Sequence, residues 1–194
     1  MNLRILHIGE ETLREPSEPV TEINDDIRQL VQDMFETMYK ANGVGLAAPQ
    51  VGRNIRLFVI DLDGKSPMVF SNPEIVKKTG KETCEEGCLS VPGFREDVQR
   101  AKPIIAEATD LAGLGFEVTA EGLMARAIQH ELDHLEGVLF VDRISKARKM
   151  QIKSIIDRLQ VGDFSGLEEL EDDAEDEAPG AVSGVEPSSK AALS

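Results

Sequence analysis

The segment Gln129-His130-Glu131-Leu132-Asp133-His134 decides how this chain is read. It lies within a stretch from Gly122 to about Leu135 in which Leu123, Ala127, Ile128, Leu132 and Leu135 form an apolar stripe, and Gly137 supplies a stop. Residues four apart on a helix share a face, so His130 and His134 present two imidazoles in one direction. Two such nitrogens suit a single metal ion. Glu131, one residue along, can then accept a proton from water at that ion. The competing reading of the hexapeptide alone is a chance grouping on a solvated helix face. Only three histidines occur in the chain, and two fall here. His7, in an apolar N-terminal stretch, reads as structural.

A catalytic metal usually keeps three protein ligands and one open position, so a third donor is needed. Zincin-type peptidases take it from downstream of the helix. Here Glu136 is too close in sequence, and the later acids lie in a basic helix and a tail. Upstream, Glu86-Gly87-Cys88-Leu89-Ser90 offers a thiolate, with a glycine that lets the backbone approach closely. Alone this pentapeptide is weak, because glycine beside cysteine is common in turns. Cys84 and Cys88 in a reducing compartment read first as buried thiols. A third segment, Gly43-Val44-Gly45-Leu46-Ala47-Ala48-Pro49-Gln50, leaves its backbone uncovered and ends on an amide donor. A dinucleotide loop would follow a strand and open a helix, whereas this one follows a helix and runs into a strand. A plain tight turn stays open as its reading.

Working outward, residues 24–41 carry Ile27, Leu30, Val31, Met34, Phe35 and Met38 at helical spacing. Asn24 suits the N-cap, Asp25 and Asp26 the first turn, and Asn42-Gly43 the stop. Arg56 to Asp61 reads as a strand. Short β-rich stretches follow at Met68–Ser71, Glu74–Lys77, Lys102–Thr109 and Phe116–Thr119, separated by Gly, Pro and Asp clusters. A third helix is expected over about Ile144–Gln160, with Lys146, Arg148, Lys149, Lys153 and Arg158 making it basic. The pattern predicts an α+β fold of short, mostly antiparallel strands around the central helix that bears the histidines. Residues 1–161 form the expected catalytic domain. Residues 162–194, rich in Glu, Asp, Ala, Gly, Ser and Pro, read as a disordered acidic tail.

Composition narrows the function. Aromatics are 4% of residues and Trp is absent, so aliphatic side chains must fill most of the core. The formal net charge is −15; residues 163–194 hold ten acids and one Lys, which leaves −6 for residues 1–162. A net-negative domain argues against nonspecific binding to DNA or anionic membranes. No apolar run approaches a membrane span, and the N-terminus lacks the marks of a secretory or transit signal, so a cytoplasmic location is expected.

Taken together, the three segments resemble the peptide deformylase family, whose signatures G-x-G-x-A-A-x-Q, E-G-C-x-S and Q-H-E-x-D-H occur in this order. They stand here as Gly43–Gln50, Glu86–Ser90 and Gln129–His134, and the resemblance extends over about residues 1–160. It implies a hydrolase that removes the formyl group from the N-terminal formylmethionine of nascent peptides and releases formate. Cys88, His130 and His134 would hold one divalent metal, Fe2+ in the cell, with Ni2+ or Zn2+ able to substitute. Glu131 would be the general base and then acid, while the Gln50 amide and the Leu89 N–H would stabilise the formyl oxygen. Val44, Leu89, Leu123, Ala127 and the aliphatic stem of Arg126 are candidates for the walls of a methionine slot; many relatives carry an apolar residue at position 126. Backbone groups of Gly43, Gly45 and Gly87 could pair with the peptide as an added strand. Arg95 could guide its entry, and Asp133, Arg100 and Glu86 could orient the metal ligands. The basic helix over residues 144–160 could touch the ribosome. Two rivals remain: a zincin-type metallopeptidase and a binding module with a structural metal.

Overall fold

The computed structural model describes residues 2–165. Helix α1, Asp25–Lys40, starts where the Asn24 side chain accepts the Ile27 N–H at 3.0 Å. It stops where Asn42 turns left-handed, with φ 56°, and the Gly43 N–H returns to the Met38 carbonyl at 2.9 Å. The chain then runs through β1, Gly45–Ala47; a 3-10 turn, Ala48–Val51; and β2, Leu57–Ile60. β3, Met68–Lys78, leads to a two-stranded hairpin of β4, Glu82–Cys88, and β5, Val91–Arg100. β6, Ile104–Thr109, and β7, Gly115–Ala120, precede helix α2, Gly122–Leu135. A 3-10 turn, Phe140–Asp142, and helices α3, Lys146–Gln151, and α4, Lys153–Gln160, complete the described chain.

The main sheet is antiparallel throughout, in the order β1-β2-β3-β6-β7. All four residues of β2 are buried because a helix covers each face near it. Strand side chains alternate. Phe58 and Ile60 join the core under α2 with Ala125, Ala127, Ile128 and Leu135, while Leu57 and Val59 join the core under α1 with Leu30, Met34 and Met38. Phe58 stacks on Phe70 with ring centroids 4.7 Å apart. Each such aromatic contributes roughly 1.5–3 kcal/mol by leaving water. A third core joins the β4-β5 hairpin, through Val91, Phe94 and Val98, to Phe140, Ile144, Ile152 and Leu159.

The α+β class, α1 and α2 agree with expectation. Three local readings need correction. The stretches at 68–71 and 74–77 are one strand, β3, whose register shifts between Ser71 and Glu74. Asn72 sits there at φ 48°, and its side-chain amide pairs both backbone groups of Val20 at 2.8 Å, which holds the kink without ending the strand. The expected single helix over 144–160 is two, because the chain turns at Ile152 to bury that side chain beside Leu159. The β4-β5 hairpin was not expected at all. Among the described residues no helix is long and apolar enough to cross a membrane. Of the expected disordered tail, residues 166–194 lie outside the described residues.

Candidate metal centre

The site lies where the hairpin, α2 and the turn after β1 meet. β4 delivers Cys88 at its last position, where the hairpin register shifts between Gly87 and Cys88. α2 delivers His130 and His134 one turn apart, with ring centroids 5.1 Å from each other. Cys88 Sγ is 3.3 Å from His134 Nε2, and one ligand atom from each of the three residues lies within 4.8 Å of the others. Two donors bound to one tetrahedral ion at usual bond lengths stand roughly 3.5 Å apart. A thiol and two imidazoles are also the donors that divalent Fe, Ni and Zn prefer. All three residues are buried. The residues present therefore fit one ion.

The far nitrogen of His130 is fixed. Its Nδ1 lies 3.1 Å from Glu86 Oε2, which leaves Nε2 as the ring's donor toward an ion. Glu86 is held in turn by Arg100, Nε to Oε1 at 2.9 Å and Nη2 to Oε2 at 2.8 Å, and by Arg126 Nη1 to Oε1 at 2.6 Å. Arg100 continues to Asp133, which also receives a two-pronged contact from Arg143. Burial alone would push the Glu86 carboxyl up; hydrogen bonds from Arg100 and His130 and the charge of Arg100 outweigh it and hold Glu86 well below the ordinary carboxylate range. Burial likewise opposes a proton on His130, yet hydrogen bonds to Cys88 and Glu86 raise its pKa well above the ordinary value in the metal-free chain. Glu86, Asp133 and Arg100 thus sit where supporting residues were expected.

Glu131 is fully buried. Its Oε1 lies against β1 at a point where a side chain on Gly45 would come within 2.5 Å of it, so only glycine lets the strand and the carboxylate meet. Gln50, also fully buried, accepts the Ala47 N–H at Oε1, 2.8 Å away. That bond fixes the amide orientation. Its Nε2 therefore faces Ser90 Oγ at 3.1 Å and Cys88 Sγ at 3.7 Å. Gly43 packs under Leu89, so closely that a Cβ at that position would lie 2.9 Å from Leu89 Cδ1.

The structure brings Val44 and Ala127 together in the core under α2, whereas Leu89 packs half-buried against the core under α1 and Leu123 is 40% exposed. The Arg126 guanidinium runs into the interior and ends on Glu86, 3.2 Å from the Val98 carbonyl and 3.4 Å from that of Cys84. It thereby ties α2 to both strands of the hairpin. Arg95 pairs across from Gly87, covers it with its stem, and lies 3.5 Å from Glu85. His7 packs edge-on against Phe164 at 5.3 Å, away from the donor cluster. Two neighbours of the site escaped sequence reading: Ser90, quoted in its motif but given no role, and Arg143, which no motif marks.

A buried carboxylate beside a Cys/His/His cluster that could hold a metal ion, on an α+β scaffold, is the arrangement of a metallohydrolase. The third donor, Cys88, comes from upstream of α2, so a zincin-type arrangement is not favoured. Residues 2–150 match the family model for polypeptide deformylase. Peptide deformylase 1 of Clostridium perfringens is 57% identical over 144 residues, covering 73% of this chain and 98% of the relative. The peptide deformylase of Alkalilimnicola ehrlichii is 49% identical over 160 residues, covering 81% of this chain and 90% of the relative. The crystal structure of a peptide deformylase from Legionella pneumophila superposes with a TM-score of 0.77 at 46% identity, covering 81% of this chain and 95% of that one. The chain belongs to the polypeptide deformylase family.

Proposed function

We propose that this enzyme hydrolyses the formamide at the N-terminus of N-formylmethionyl nascent peptides, giving formate and a free amine. Convergence of Cys88, His130 and His134 beside the buried Glu131 carries the reading. Those three residues would hold one divalent ion, Fe2+ by family resemblance, with Ni2+ or Zn2+ suited to the same donors. When bound, such an ion polarises a carbonyl oxygen and brings the pKa of water toward neutrality. Glu131 takes a proton from the attacking water at its carboxylate and passes it to the departing nitrogen. Burial against Gly45 keeps that carboxylate in one place.

Charge that grows on the formyl oxygen is met by N–H donors. The Gln50 amide is oriented for this by its bond to Ala47, and the Leu89 backbone N–H lies next to Cys88 in the chain. The formyl carbon carries only hydrogen, so attack is unhindered. Val44, Leu89, Leu123, Ala127 and the aliphatic stem of Arg126 would wall a slot for an unbranched side chain such as methionine. β1, Gly45–Ala47, is an edge strand, and backbone groups of Gly43, Gly45 and Gly87 would pair with an extended peptide as an added strand. Arg95, across the hairpin from Gly87, would guide the peptide's entry.

Support for a ribosome contact through residues 144–160 is thinner. Arg148 pairs with Glu96, Lys153 with Asp157 and Arg158 with Asp163, so much of that positive charge is already neutralised. Formate release from formyl-Met-Ala-Ser, measured anaerobically, tests the main reading. Turnover should collapse in Glu131→Gln while metal is retained. Equal turnover in wild type and variant removes Glu131 from the mechanism.

A further inference from the structure

Arg143 lies outside every sequence motif and outside the donor cluster. Its side chain is 48% exposed and forms part of the wall of a surface cleft of about 680 Å³, with Glu96, Asp97 and Arg148. Yet its guanidinium turns inward. Nε lies 3.0 Å from Asp133 Oδ2, and Nη2 contacts Asp133 Oδ1, a side-on fork. Asp133 Oδ2 also takes Arg100 Nη1. Arg100 forks in turn onto both oxygens of Glu86, and Glu86 Oε2 meets His130 Nδ1. Charges alternate along this line: Arg143, Asp133, Arg100, Glu86, then the imidazole.

Each link constrains the next. Arg100 offers one guanidinium to two carboxylates, so its plane is set by where both of them sit. Asp133 has an 11% exposed side chain, and Arg143 is the partner that holds it from the solvent side. Without that fork, Asp133 keeps only the end-on contact to Arg100. It can then rotate, and Arg100, still forked on Glu86, loses the contact that fixes the far end of its guanidinium; Arg126 stays on Glu86 Oε1 at 2.6 Å, so the effect passed on to His130 is a small one.

We propose that Arg143 is a positioning residue for the metal centre, acting through Asp133, Arg100 and Glu86 on the orientation of His130. This rests on the reading that Cys88, His130 and His134 hold an ion. Groups that orient metal ligands typically affect affinity or activity by about 10- to 100-fold, and Arg143 stands further out, so an effect near the low end is expected.

The test uses the full chain loaded with Co2+. Wild type should bind one ion, and Cys88→Ala should lose it; failure there sinks the metal reading itself and is seen before Arg143 is touched. Arg143→Met should weaken Co2+ binding about tenfold in a chelator competition and alter the visible absorption of the bound ion. Arg143→Lys, which keeps the charge without the fork, should fall between the two. In a Glu86→Gln background, Arg143→Met should have no further effect on affinity, because the line is already cut. A merely structural role for Arg143 would lower affinity equally in both backgrounds, and that result overturns the proposal. So does an Arg143→Met protein with wild-type affinity and spectrum, an outcome readable even where Glu86→Gln does not fold.

Discussion

Replacing Gly45 with alanine puts the placement of Glu131 to a direct test. Gly45 lies outside the left-handed region, so alanine strains no backbone angle there. The new methyl carbon would fall 2.5 Å from Glu131 Oε1, 3.0 Å from Cδ and 3.2 Å from Cγ. Ordinary contact begins at 3.4 Å, so the carboxylate oxygen has to retreat by roughly 0.9 Å. Glu131 is fully buried and has no solvent side to swing into. A misplacement of about 1 Å at a reacting group costs on the order of 100-fold in rate. Overpacking of this kind also destabilises by about 1–3 kcal/mol. At this size that lowers the melting temperature by roughly 2–12 °C, which leaves the protein folded at room temperature. The expected outcome is therefore a folded, metal-replete variant whose kcat on formyl-Met-Ala-Ser is about a hundredth of wild type. Gly115→Ala is the control: at the start of β7 its methyl would meet nothing within 4 Å and strain no backbone angle. Combining Gly45→Ala with Glu131→Gln should be no worse than Glu131→Gln alone. A folded Gly45→Ala enzyme with near wild-type kcat, or one whose loss tracks missing metal, refutes the reasoning.

Gln50→Ala should retain metal and lose about 100- to 1,000-fold in kcat, as removal of one oxyanion donor does elsewhere; formate release with metal content per chain checks both halves. Arg100→Met leaves Glu86 and Asp133 as buried charges short of a partner and should cost about 3–5 kcal/mol in denaturant unfolding; a loss below about 1 kcal/mol contradicts the ion network. In the metal-free chain the raised pKa of His130 gives stability that is complete below the ordinary value of 6.5 and is lost as pH rises through the raised value. Melts of chelated protein should thus fall with rising pH above neutrality, whereas metal affinity should increase over the same interval, because uptake expels that proton. Flat melts would place the proton elsewhere.

The chemistry of this site was legible because it is written in residue types at short range. His130 and His134 lie one helical turn apart, and Asn24, Asn42 and Gly43 punctuate α1 as capping physics requires. The β4-β5 hairpin was not legible for the opposite reason. Glu82-Thr83-Cys84-Glu85-Glu86-Gly87-Cys88 shows no apolar alternation and carries three acids, so periodicity reads it as a loop. Its burial is licensed from elsewhere, by Arg100 on the facing strand and by Arg126 and His130 on α2. A carboxylate is stable in the interior only once those partners arrive. The guanidinium of Arg126 went unread for the same reason: a cation beside a presumed apolar slot has no visible purpose until Glu86 is found within its reach. Cys88 therefore meets the two histidines because charges far apart in sequence are drawn together beneath them. The arginines that carry no motif are what join the hairpin's sulfur to the helix's nitrogens.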